Sequence, residues 1–192
     1  MQKSIKGLLC GTILIAALGL TGCGNNAQSD LEEVVGMNKE QSTSAIEVLK
    51  NAGISDVESV QKVPNATNLY ELRSEKYGAF FMKVNGNKDV TSYIYETLPF
   101  YSNGNNVRDI DDLYLSNDER IEFQVLAEED VKKRLKAPAT ASFEEHPLIV
   151  REKDKVTARG KVDAENSFGA KIRTPFVVEY TYPDKNFVRI TI

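Results

Sequence analysis

The sequence predicts an α+β protein of two small lobes, each with one helix packed on an antiparallel β-meander, behind an apolar leader. Three observations lead there. Asn38 to Ala52 and Ser116 to Lys136 carry helix start signals and helical spacing, and runs of alternating apolar and polar residues follow each of them. Between the two sets, Leu98 to Asp118 breaks the pattern with Pro99, Gly104 and a concentration of Asn and Asp. A helix followed by consecutive strands, occurring twice, is the order expected of helices laid on antiparallel sheets. The predicted divisions are a leader at 1–22, a tether at 23–30, an N-terminal lobe at 31–97, a connector at 98–115 and a C-terminal lobe at 116–192.

The leader opens with Lys3 and Lys6, then runs apolar from Gly7 to Leu20 and closes on Thr21-Gly22-Cys23. That run is shorter than the roughly 20 residues a membrane span needs and suits the h-region of a secretory signal, roughly 7 to 15. Leu20-Thr21-Gly22-Cys23 resembles the lipobox of bacterial lipoprotein signal peptides. The resemblance implies cleavage between Gly22 and Cys23 and a diacylglyceryl thioether on Cys23. Membrane lipid is then the first partner, and the address is the extracytoplasmic face of the cell membrane. Gly24 to Asp30 is small and polar, a flexible tether between lipid and fold.

With residues 1–22 removed, 170 of the 192 remain, enough for one ordinary domain or two small ones without a metal or disulfide staple. Lys3 and Lys6 leave with the leader, so 22 basic residues face 28 acidic ones. This charge balance argues against a general nucleic-acid binder, which would show a basic face. Cys10 also leaves with the leader and Cys23 would carry the lipid, so no free thiol, disulfide or Cys-based zinc site is expected. The one histidine, His146, precedes Pro147 in a stretch that reads as a loop. A catalytic triad or a multi-His metal site is therefore hard to build.

In the N-terminal lobe, Asn38 and Gln41 form a capping-box pattern. The helix after them places Ala45, Ile46, Leu49 and Ala52 on one face, and Gly53 is set to end it. Val57 to Val63 reads as a strand stopped by Pro64. Val35-Gly36-Met37, the run Ala45 to Ile54 and that strand are similar to the first half of a PASTA module, a β-α-β-β unit, over residues 34–63. The similarity implies muropeptide binding by analogy. Glu33 stands where the family has Pro, and the later Gly-Thr-x-Val segment is missing. Leu69 to Arg73, Tyr77 to Val84 and Asp89 to Glu96 read as about three strands, with Asn85-Gly86 as the hairpin signal.

The connector holds Asp109-x-Asp111-Asp112. These are hard oxygen ligands at short spacing, but the sixth-position Gly and closing Glu of a calcium loop are lacking. It reads as a solvated connection. Ser116-x-x-Glu119 then opens the second helix with a capping box. Ile121, Val125, Glu128, Val131 and Leu135 recur at near-helical spacing. Lys132 and Lys133, beside Arg134 and Lys136, suit the negative end of the helix dipole and are candidates for binding a phosphate or teichoic-acid group.

Leu148–Val150, Val156–Val162, Ile172–Tyr182 and Asn186–Ile192 read as a closing meander. Leu135 to Phe143 (Leu-Lys-Ala-Pro-Ala-Thr-Ala-Ser-Phe), with Asn166-Ser167-Phe168-Gly169, resembles a module at the end of uncharacterised Gram-positive lipoproteins and secreted proteins. The resemblance implies a helix on a small antiparallel sheet and carries no known activity. Asn166 and Gly169 bracket a bend, with Phe168 able to drop into the core. Asp163, Glu165 and Asn166 form the best polar cluster of the lobe and are its candidate binding residues. The expected function is a non-catalytic binding or scaffold module for a cell-wall polymer or envelope protein, with no catalytic residue, metal or cofactor. The alternative is a carboxylate-dependent envelope hydrolase, which needs two converging acids such as Asp163 and Glu165, one with a raised pKa.

Overall fold

The computed structural model describes residues 27–192, so the leader, Gly22, Cys23 and the first part of the tether lie outside the described residues. The α+β class holds: the described chain has three α-helices and two antiparallel sheets, of six and five strands. It divides into two compact units, 27–114 and 115–192.

The first unit begins earlier than expected. Residues 27–30, read as part of the tether, form α1 (Ala27–Asp30), which runs into one π-helical turn at Leu31–Val35. Leu31 and Val35 are 0% and 3% exposed. One helical face carries both into the core, and Ala27 packs there too. Gly36, at φ +79°, ends the turn. A helix thus stands where a β-α-β unit would have its first strand. The expected capping box of α2 (Lys39–Asn51) forms, with Asn38 Oδ1 accepting from the Gln41 N–H at 2.9 Å and Gln41 Oε1 accepting from the Asn38 N–H at 3.1 Å.

Six strands follow, each pairing with the next: β1 (Val57–Lys62), β2 (Leu69–Ser74), β3 (Gly78–Val84), β4 (Val90–Tyr95), β5 (Leu98–Ser102) and β6 (Asn105–Asn106). The last two lie in the segment read as connector. Asn103 and Gly104 both take positive φ, +49° and +87°, as a tight two-residue hairpin requires, and they join β5 to β6. Pro99 is tolerated in β5 because the pairing of β4 with β5 is irregular at Tyr93/Ile94, next to its partner Ile94. Ile110 and Leu113, from the same segment, are buried in the first core. The hairpin signalled by Asn85-Gly86 forms differently. Asn85 Oδ1 accepts from the N–H groups of Asn87 and Asp89, and the positive φ falls on Lys88. Tyr93 anchors the core, stacked on Phe100 at 5.7 Å with its hydroxyl donating to the Ala45 carbonyl at 3.1 Å.

In the second unit, α3 (Asn117–Lys132) carries the expected Ser116/Glu119 capping box. Its buried face is Phe123, Ala127 and Val131, while Ile121 and Val125 are 60% and 49% exposed. The helix is turned by Phe123, which packs 5.8 Å from the Tyr180 ring, and by Glu119, which accepts the Tyr182 hydroxyl on the same side. The sheet comprises β7 (Ser142–Phe143), β8 (Leu148–Glu152), β9 (Lys155–Glu165), β10 (Lys171–Thr181) and β11 (Phe187–Thr191). β9 is central, pairing along its length with β10 on one edge and with β8 and then β7 on the other.

Candidate functional site

The long β9–β10 pairing sorts its residues by parity. Val156, Ala158, Val162 and Ala164 of β9 and Phe176, Val178 and Tyr180 of β10 are buried, most of them in one cluster with Phe123, Ala127 and Val131 of α3. The alternate positions must then point to the opposite face. They include Lys155, Arg159 and Lys161 of β9 and Lys171 and Arg173 of β10, and the ladder adds Arg189 of β11 beside Glu179. All six cations are exposed. Four carboxylates of the face stand across a ladder from a cation, Glu152 from Lys155, Asp163 from Arg173, Glu165 from Lys171 and Glu179 from Arg189. A fifth, Glu144, follows β7, donates its N–H to the Lys161 carbonyl at 3.2 Å and acts on Arg173 through its charge. Arg159 and Lys161 instead face Val177 and Pro175 on β10, which carry no charge. A chain of formal net charge −4 therefore presents a net positive sheet face, centred on Arg159 and Lys161.

Two of the pairs are geometrically fixed. Arg173 Nε and Nη2 donate to Asp163 Oδ1 and Oδ2 at 2.8 and 2.7 Å, and this holds the Asp163 carboxyl below its ordinary range. Arg189 grips Glu179 in the same two-bond fashion, at 2.8 and 2.6 Å. The Arg189 bond lowers the Glu179 pKa against the effect of burial, helped by the charges of Arg189, Lys155 and Arg159. Asp163 is thus an anion bound to its own cation, and it lacks the raised pKa that an acid catalyst of glycoside hydrolysis needs.

The other sequence candidates fall as follows. Glu165, at the end of β9, is exposed, and its backbone N–H donates to Thr140 Oγ1 at 2.9 Å. Asn166 builds the hairpin turn: its Oδ1 accepts from the N–H groups of Phe168 and Ala170 at 2.9 and 3.0 Å, and Gly169 takes φ +77°. Phe168, expected in the core, is 93% exposed, because the turn lies beyond the part of the hairpin that α3 covers. Lys132 and Lys133 each contact a group of their own. Lys133 bonds Asp130 at 2.8 Å, and the Lys132 Nζ lies 5.3 Å over the Phe143 ring. His146 is exposed in the loop before β8. Asp111, from the acidic stretch, accepts from Lys76 Nζ at 2.9 Å and from the Tyr77 hydroxyl at 2.8 Å. Among the described residues, no group of three or more His, Cys, Asp or Glu side chains converges to hold a metal ion.

Sequence reasoning missed Arg159, Lys161, Lys171 and Arg173. Their signal was present as cations spaced by two along predicted strands, on the parity opposite to Val156, Ala158 and Val162. Comparison with protein-family models, with curated proteins and with solved structures finds no match to this chain.

Proposed function

We propose that this chain is a lipid-anchored extracytoplasmic binding protein whose second sheet holds a phosphate-bearing polyanion of the cell envelope on its outer face, without a catalytic step. The observation that carries the reading is the pair Arg159 and Lys161, exposed on a rigid strand and left without a carboxylate across the ladder to β10. An arginine fork and a lysine point charge are the side chains that best hold phosphate oxygens. The flanking cations Lys155, Lys171 and Arg189 each stand across a ladder from a carboxylate, so the unbalanced positive charge stays centred on Arg159 and Lys161. The anchor rests on Leu20-Thr21-Gly22-Cys23.

The test is titration of the full chain with inorganic polyphosphate at low and at physiological salt. Binding is expected to weaken as salt rises, and Arg159→Glu with Lys161→Glu should reduce affinity at least about tenfold, the loss of one to two charge-assisted contacts. Unchanged affinity in a double variant that melts like the parent would refute the reading. For the anchor, metabolic labelling with a fatty acid should mark the parent and not Cys23→Ala.

A further inference from the structure

Resting on that reading, we infer that the phosphate is supplied by the membrane: the β9–β10 hairpin docks on an anionic phospholipid bilayer, with Phe168 entering the interface. The hairpin tip is a finished structure rather than a loose loop. Besides the two bonds to Asn166 Oδ1, the Asn166 N–H donates to the Ala170 carbonyl at 2.9 Å and the Gly169 N–H to the Asn166 carbonyl at 3.0 Å. This holds a large apolar ring in water at 93% exposure. The fold gains nothing from Phe168 there, whereas a rigid aromatic tip needs little ordering on contact with an apolar medium.

The cation nearest the tip lies at the depth a bilayer would match. At about 3.4 Å per residue along a strand, Lys171, Arg173 and Lys161 sit back from the tip by roughly 10 to 24 Å of chain. The ring can then reach the acyl boundary, roughly 5 to 10 Å into the interface, while Lys171 stays at the phosphate level; Arg173 and Lys161, farther back, act on the anionic surface through its field. Between Arg159 and Arg173 the hairpin carries four cations, Arg159, Lys161, Lys171 and Arg173, and two carboxylates, Asp163 and Glu165. Its net charge is thus opposite to that of the whole chain. Phosphate alone would explain the cations and leave Phe168 without a purpose, whereas a bilayer of anionic lipid uses both.

The chain contains no tryptophan, so Phe168→Trp places a single tryptophan, excited selectively over the eight tyrosines, at the tip of the full chain. Val125→Trp, outward on α3, is made separately and serves as the reference. The probes are vesicles of phosphatidylglycerol with phosphatidylcholine, vesicles of phosphatidylcholine alone, and both with brominated acyl chains. Emission of the tip fluorophore is expected to shift to the blue and to be quenched by brominated lipid on the anionic vesicles. Both effects should be weaker on neutral vesicles and in the Arg159→Glu, Lys161→Glu background, and the reference fluorophore on α3 should stay unaffected. An unshifted tip fluorophore on anionic vesicles overturns the inference, as does an equal response to neutral vesicles or an equal response of the reference. If the tip fluorophore is silent while polyphosphate still binds, only the membrane docking is lost. If polyphosphate binding fails as well, the reading beneath it falls too.

Discussion

Arg173 grips Asp163 with two parallel hydrogen bonds across directly paired positions of β10 and β9, on the sheet face that α3 does not cover. The carboxylate cancels one cation at the edge of the positive face. Asp163→Asn removes that cancellation and leaves the backbone register as it is. Polyphosphate should therefore bind the variant more tightly at low salt, with a steeper loss as salt is raised. Weaker binding would mean that Asp163 positions Arg173 rather than restraining its charge.

Glu179 gives a pH-dependent counterpart. Its carboxyl, only 10% exposed, is held below the ordinary 4.5 by the Arg189 bond. A lowered folded-state pKa stabilises the fold above the unfolded value, and that stabilisation is lost as pH falls through the folded one. Thermal melts of the parent should drop in Tm below about pH 4.5, while Glu179→Gln should lose about 1 kcal/mol at neutral pH and show a shallower acid decline. Parallel acid profiles in the two proteins would remove Glu179 from the account.

Gly160 meets a steric limit on the other side of the same strand. A Cβ there would lie 2.7 Å from Phe176 Cζ and 3.0 Å from its Cε1, and that ring is 2% exposed. Gly160→Ala should cost about 1 to 3 kcal/mol, the usual range for overpacking. Adding Phe176→Leu to Gly160→Ala should cost less than Phe176→Leu costs alone. Simple additivity in a double-mutant cycle of denaturant midpoints would contradict the contact.

Several features were legible because one short stretch of chain decides them. Both capping boxes formed at Asn38/Gln41 and Ser116/Glu119, since the bonds close within four residues. The β9–β10 bend at Asn166 and Gly169 was legible for the same reason. The extent of the first sheet was not. Asn85-Gly86 and Asn103-Gly104 carry the same hairpin signal, yet only the second pair takes positive φ at both residues, and there the surrounding Pro99 and Asp residues mask β5. The candidate face was hidden for a longer-range reason: Arg159 and Lys161 become a site only when β9 pairs on both edges and α3 claims the other parity. Lys132 and Lys133 are adjacent in sequence, and their partners were not legible there. Asp130, a turn away, bonds Lys133, and Phe143, on a strand, lies under Lys132.

The face of α3 yields the sharpest stability contrast. Ile121 and Val125 are β-branched, four apart and apolar, so by pattern they belong to the core, yet both are exposed. The core side is instead set by Phe123, fully buried against Tyr180, with Ala127 and Val131 continuing its row. Removing the Phe123 ring leaves a cavity beneath β10, whereas replacing Ile121 removes only contact with water. Phe123→Ala should therefore cost about 3 to 5 kcal/mol, and Ile121→Gln should stay within about 0.5 kcal/mol of the parent. Denaturant unfolding followed by circular dichroism reads both in one experiment. A loss on Ile121→Gln comparable to that on Phe123→Ala would mean that the exposed stripe of α3 is covered in solution.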